Sequence, residues 1–197
     1  MTELELQQYL LREYPQENAR CEWKEFKDLK NSFCGDEKDD VISYVSAIAN
    51  MEGGFLVVGV HDKTLEIVGT DTYNYDRQKA VLRLTERCTN LSSEGLDIEE
   101  YVTDDTQKVV WVIHIPKHQP KRPVYAHDKA WQRIEDSLVE LTQERLNAIL
   151  EYIKDALPST KSMEQKRRLL RHILEEMKNE NMILVNGRTW FENGYKS

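Results

Sequence analysis

Several common signatures of function are missing from this chain. No apolar run approaches the roughly 20 residues that a membrane-spanning helix needs. The opening stretch, Met1 to Leu11, is acidic and amphipathic, which fits neither a signal peptide nor a transit peptide. Only three cysteines occur, Cys21, Cys34 and Cys88, far apart and without a C-x-x-C pair. That spacing speaks against a cysteine-based zinc site and predicts reduced thiols in a cytoplasmic protein. There is no G-x-x-x-x-G-K-[ST] loop, so ATP binding has little support, and no nucleophile elbow on which Ser/His/Asp hydrolysis could rest. The five histidines show no metal-ligand spacing, although His61 beside Asp62 could contact a substrate phosphate. No internal repeat is present.

Positive charge is also scarce. The 197 residues carry a formal net charge of −8, with 40% hydrophobic and 31% charged residues. This is a globular profile, and it excludes a protein that coats nucleic acid through its overall field. The imbalance is uneven, since from Lys161 onward eight basic residues face five acidic ones. Any contact with nucleic acid must come from a local patch.

What is present centres on Asp39 to Gly69, DDVISYVSAIANMEGGFLVVGVHDKTLEIVG. Val41, Ile42, Val45, Ile48 and Ala49 have the spacing of one helical face, with Asp39 or Asp40 as N-cap. Gly53 and Gly54 stop the helix. Phe55 to Val60 is too short for a helix and too continuous for a half-exposed strand, which predicts a central strand buried on both faces. The turn at His61-Asp62-Lys63 then sets a carboxylate at the strand's C-terminal end, the edge where ligands tend to sit in open α/β sheets.

Around this centre, the pattern predicts a helix over Thr2 to Glu13 ended by Pro15, a strand over Arg20 to Phe26, and a charged loop from Lys27 to Lys38. A second helix is expected over Asp76 to Thr89. A hairpin follows, Asp97 to Thr103 with Lys108 to Ile115, and then a last one, Val124 to Ala126 with Lys129 to Ile134. Thr142 caps a helix that Pro158 ends. These elements make residues 1–157 one mixed α/β domain. Residues 158–197 form an appendage, a helix from Met163 to Asn179 and a hairpin across Asn186-Gly187, together half of a winged helix.

The succession helix, AN-x-EGG, apolar strand, GV-x-D-x-x-x-x-I-x-G resembles the central signature of the Schlafen AlbA-type domain. Ala49, Asn50, Glu52, Gly53, Gly54, Gly59, Val60, Asp62, Ile67 and Gly69 carry it. Glu17-Asn18 with Glu22-Trp23-Lys24 is similar to that family's opening strand. Lys121-Arg122-Pro123-Val124 with Trp131-Gln132-Arg133 is similar to its closing strands. The resemblance implies an AlbA-like mixed sheet flanked by helices, DNA or RNA as partner, and pairing into a homodimer. It also implies that Glu17, Glu22 and Asp62, with Lys24 alongside, match the metal-dependent site of Schlafen ribonucleases. Such carboxylates hold Mg²⁺ or Mn²⁺ by one or two bonds and leave positions for water and phosphate.

Three readings stay open. The first is a nucleic-acid-binding protein, a transcriptional regulator, with no cofactor. Its phosphate contacts would be Lys117, His118, Lys121 and Arg122 on a loop, Lys129 and Arg133 on the hairpin, and Lys166, Arg167 and Arg171 on the last helix, with Tyr125 and Trp131 for stacking. The second is a Mg²⁺- or Mn²⁺-dependent endoribonuclease acting on structured RNA such as tRNA. The third is a dimeric interaction module without enzymatic activity. Each candidate also has a plain structural reading: solvated charges at strand ends, a wet loop with Trp131 in the core, and a docking helix.

Overall fold

The computed structural model describes residues 1–15, 20–33, 40–72, 76–134 and 137–150, together with the strands at 183–185 and 188–190. By its internal contacts the chain divides into two compact units, residues 1–152 and 153–197. In the second unit, β9 (Ile183–Val185) and β10 (Arg188–Trp190) pair antiparallel, as the intervening Asn-Gly predicts. The expected helix from Met163 to Asn179 lies outside the described residues.

The first unit is layered. Its main sheet has the order β1-β2-β5-β4, built from Cys21–Lys24, Gly54–Val58, Val109–Ile115 and Asp97–Val102 respectively. β1 runs parallel to β2, and β5 runs antiparallel to both of its neighbours. A second sheet has the order β3-β6-β7-β8, from Cys88–Thr89, Tyr125–Ala126, Lys129–Ile134 and Ser137–Glu140. The family-based expectation of a mixed sheet with helices packed on it describes this unit.

Side-chain alternation sorts the main sheet's two faces. Cys21, Trp23, Val57, Val110 and Val112 turn to one face and pack with Leu6 and Leu10 of α1 (Glu3–Glu13) and with Tyr14, its C-cap. Thr2 opens α1 through a capping box with Glu5. Leu56, Val58, Trp111, Ile113 and Ile115 turn to the other face, against α3 (Val41–Asn50) and α4 (Arg77–Arg87).

α3 is where the sequence reading falls short. Its spacing predicts one apolar face, yet all ten of its residues are buried, Ser43, Ser46 and Asn50 among them. The cause is the second sheet, which packs on the helix side that a single-sheet fold would leave wet. Three further elements escaped the pattern. α2 (Leu29–Ser32) lies in the predicted loop and sends Leu29 and Phe33 into the core. β3 continues directly from α4, and β8 adds a strand beyond the expected last hairpin.

Gly53 and Gly54 do more than stop the helix, whose C-cap is Met51. A Cβ on Gly54 (φ +152°) would lie 1.8 Å from the Arg20 carbonyl oxygen, where β1 and β2 come together. On Gly53 (φ +66°) it would lie 2.6 Å from the Lys117 nitrogen. Both backbone approaches require glycine.

Candidate nucleic-acid interface

The acidic candidates lie on the α3 side of β1. Alternation directs Cys21 and Trp23 toward α1, so Glu22 and Lys24 emerge on the opposite face. Lys24 Nζ lies 2.9 Å from Glu22 Oε1 and 3.7 Å from Asp62 Oδ2, and 5.2 Å from the centre of the Tyr44 ring on α3. One ammonium thus joins the two carboxylates. The other Glu22 oxygen receives the guanidinium of Arg133, which reaches across from β7 and also donates to the Cys21 carbonyl at 3.4 Å. Glu22 and Arg133 side chains are only 8% and 9% exposed. Burial opposes the charge on Lys24, but the hydrogen bond and attraction of Glu22 outweigh it and hold the lysine above its usual pKa.

Of the predicted triplet, the structure brings Glu22 and Asp62 together around Lys24, while Glu17 lies outside the described residues. Among the described residues no group of three His, Cys, Asp or Glu side chains could hold a metal ion. With both Glu22 oxygens facing cations, these residues do not by themselves fit Mg²⁺ or Mn²⁺. Glu22, Lys24 and Arg133 instead form a largely buried ion network that ties one sheet to the other, with Asp62 at its exposed edge.

The basic candidates divide. Arg133 belongs to that network. Lys117 pairs with Glu52 at 2.6 Å. Lys121, Arg122 and Lys129 remain on the loop and hairpin over β6 and β7, with Arg122 exposed and both lysines half-exposed. Lys129 Nζ lies 5.9 Å from the centre of the Trp131 ring. Trp131 itself is 1% exposed and donates to the Ala126 carbonyl, so it is core and offers no stacking face. Tyr125 is half-exposed. Lys166, Arg167 and Arg171 lie outside the described residues.

Asn50 fixes this hairpin. Its amide nitrogen donates to the carbonyls of Val124 (2.8 Å) and Trp131 (3.0 Å), and its oxygen accepts from the Val124 N–H (2.7 Å). The other end of α3 is tied to the same hairpin. Asp40, the N-cap, accepts from the Ser43 N–H at 2.8 Å and meets His127 Nε2 at 2.6 Å. His127 and Asp128 make the tight turn with φ of 52° and 61°.

Sequence reasoning missed a cleft of about 280 Å³ at the C-terminal end of α3, lined by Glu52, Lys117, His118, Pro120, Arg145, Ala148 and Ile149. Arg145, on α5 (Gln143–Leu150), donates to the carbonyls of Asn50 (3.1 Å) and Met51 (2.7 Å) and lies 3.3 Å from Glu52. It neutralises the negative end of the helix. Nothing in the helical pattern of 142–157 distinguished Arg145, and Glu52 signalled only a motif. A second unforeseen cluster, Tyr14 and Tyr101 donating to Glu99 beside His114, closes the α1 side of the sheet.

A mixed α/β domain with a buried acid–base network and a basic hairpin is thereby defined. The sequence profile of the family described as Schlafen, AlbA_2 matches residues 17–142, and this chain belongs to that family. Membership points to a nucleic-acid-related function. Two solved structures are similar at low identity. The DIP2311 protein of Corynebacterium diphtheriae is 17% identical with a TM-score of 0.49, over 66% of this chain and 23% of that one. This chain thus spans about a quarter of that protein's length. The N-terminal domain of a protein related to the ATP-dependent DNA helicase RecG, from Nitrosomonas europaea, is 20% identical with a TM-score of 0.38, over 72% of this chain and 91% of that one. No curated protein matches significantly. Among the described residues, no helix is long and apolar enough to cross a membrane.

Proposed function

We propose that this chain is a nucleic-acid-binding module that contacts the phosphate backbone with Lys121, Arg122 and Lys129. The observation that carries this reading is the anchoring of their hairpin by Asn50, whose buried bonds to Val124 and Trp131 hold the basic positions on a rigid base. Rigid cations lose less entropy on binding phosphates than cations on a free loop. Family membership supports the same class of partner. Preference for duplex DNA would suit a transcriptional regulator.

The second reading, metal-dependent cleavage of structured RNA, draws on one observation, the meeting of Glu22 and Asp62 at a single ammonium. Both readings are tested by incubating the protein with labelled tRNA and duplex DNA, in Mn²⁺ or in EDTA, alongside Asp62→Ala and Arg122→Ala. The expected result is binding without cleavage, unchanged in Asp62→Ala and weakened in Arg122→Ala. Failure to bind either nucleic acid at low salt would sink the proposal. Metal-dependent cleavage lost in Asp62→Ala would put the nuclease reading in its place.

A further inference from the structure

The cleft at the end of α3 lies apart from the network around Glu22, and the reading of the hairpin leaves it without a role. Its walls are fixed by backbone contacts. The His118 N–H donates to the Ala49 carbonyl at 2.9 Å, and the close approach of Gly53 to Lys117 sets the path of the following loop. Arg145 is held by three α3-end acceptors, through its Nε and Nη2. The apolar part of the lining is Pro120, Ala148 and Ile149.

The polar lining is the informative part. Among the described residues, Arg145 directs its Nε and Nη2 at the end of α3 and leaves Nη1 without an acceptor, and Lys117 Nζ meets Glu52 alone. Together they supply N–H donors beyond those that Glu52 uses. Glu52 cancels one of the two positive charges, leaving the lining net positive. His118 Nδ1 faces the Gln119 carbonyl at 2.9 Å, so that nitrogen carries the hydrogen and Nε2 is the ring atom left for a ligand. Burial, with Lys117 and Arg145 nearby, pushes His118 below its usual pKa, so the ring is neutral near pH 7. An arriving dianion would reverse that and draw a proton onto Nε2.

We infer that this cleft binds a phosphomonoester carried on a sugar-sized body, with Lys117, Arg145 and His118 around the phosphate and Pro120, Ala148 and Ile149 against the sugar. Its volume of about 280 Å³ falls just under the roughly 300 Å³ at which small-ligand sites begin, so it suits one phosphorylated sugar better than a whole dinucleotide. The same chemistry is offered by a free nucleotide and by the 5′-phosphorylated end of a nucleic-acid strand.

The probe is ribose 5-phosphate, with ribose as control, added to the full chain while the His118 ring resonances are followed by NMR across pH. Ribose 5-phosphate should raise the titration midpoint of His118, and ribose should leave it unchanged. In Lys117→Gln, whose position is exposed and tolerant, affinity should drop roughly tenfold, the loss of one charge-assisted hydrogen bond. Arg122→Ala should bind like the parent protein. Comparing AMP with 5′-phosphorylated and 5′-hydroxyl oligonucleotides then identifies the source. A response to AMP marks a free nucleotide, and a response only to the phosphorylated strand marks a nucleic-acid end. No movement of His118 with any phosphorylated probe would overturn the inference. So would affinity lost in Arg122→Ala but kept in Lys117→Gln, which would move the phosphate to the hairpin. An unmoved His118 leaves duplex binding by Lys121, Arg122 and Lys129 untouched, and that binding is tested separately by its own salt dependence.

Discussion

At the scale of single residues, burial decides which charges are structural. Glu22 faces two cations with 8% of its side chain exposed, whereas Asp62, on the same lysine, is 44% exposed. Removing one member of a buried ion network leaves the others desolvated and uncompensated. Glu22→Gln should therefore destabilise the protein by about 3 kcal/mol in urea unfolding, while Asp62→Asn should cost below about 1 kcal/mol. Equal effects would mean that Glu22 is not the keystone of the network. Thiols give a second residue-scale outcome. Burial pushes Cys21 up to about 11 and Cys88 upward as well. At pH 8 only about one Cys21 in a thousand is thiolate, the reactive form. Peptide mapping after iodoacetamide treatment should find both cysteines unlabelled in the native protein and labelled in denaturant.

At the scale of elements, the junction of β1 and β2 is the least forgiving point. Gly54→Ala would force a methyl group into the Arg20 backbone and separate the two strands. A cost of about 3 kcal/mol is expected from overpacking, read as a lower thermal midpoint. Replacing Gly95 strains its left-handed backbone (φ +82°), but the added Cβ would lie at an ordinary 3.5 Å from Pro116, so it should cost less than Gly54→Ala. The same junction shows how far the pattern of residues carries. The helix, the glycine pair and the apolar strand were legible because each rests on neighbours within a few positions. The full burial of α3 was not, because it depends on β7 and β8, some ninety residues away along the chain. Nor was the fate of Arg133. A basic residue on a strand looks like a surface contact until a carboxylate from a different sheet proves to be its partner. Asn50 was legible as part of a motif, but its work as a clamp on Val124 and Trp131 needs long-range geometry. Asn50→Leu should lower stability by roughly 2 kcal/mol, since it strands the buried Val124 N–H.

At the scale of the whole molecule, a net charge of −8 and a small cationic hairpin predict a distinctive salt response. Three phosphate contacts give a slope of log Kobs against log salt of roughly −3, and Arg122→Ala should bring it to roughly −2. Anisotropy titrations over a range of KCl concentrations would measure both. A much steeper slope would bring in the basic residues after Lys161. α3 has a further consequence. Sheathed by sheets on both sides and tied at its two ends, it has no exposed flank from which to fray. Its amide protons should exchange with deuterium only when the whole first unit opens, later than those of α1 or α4. Both the hairpin and the cleft hang from that rod, so neither can loosen far before the entire unit does.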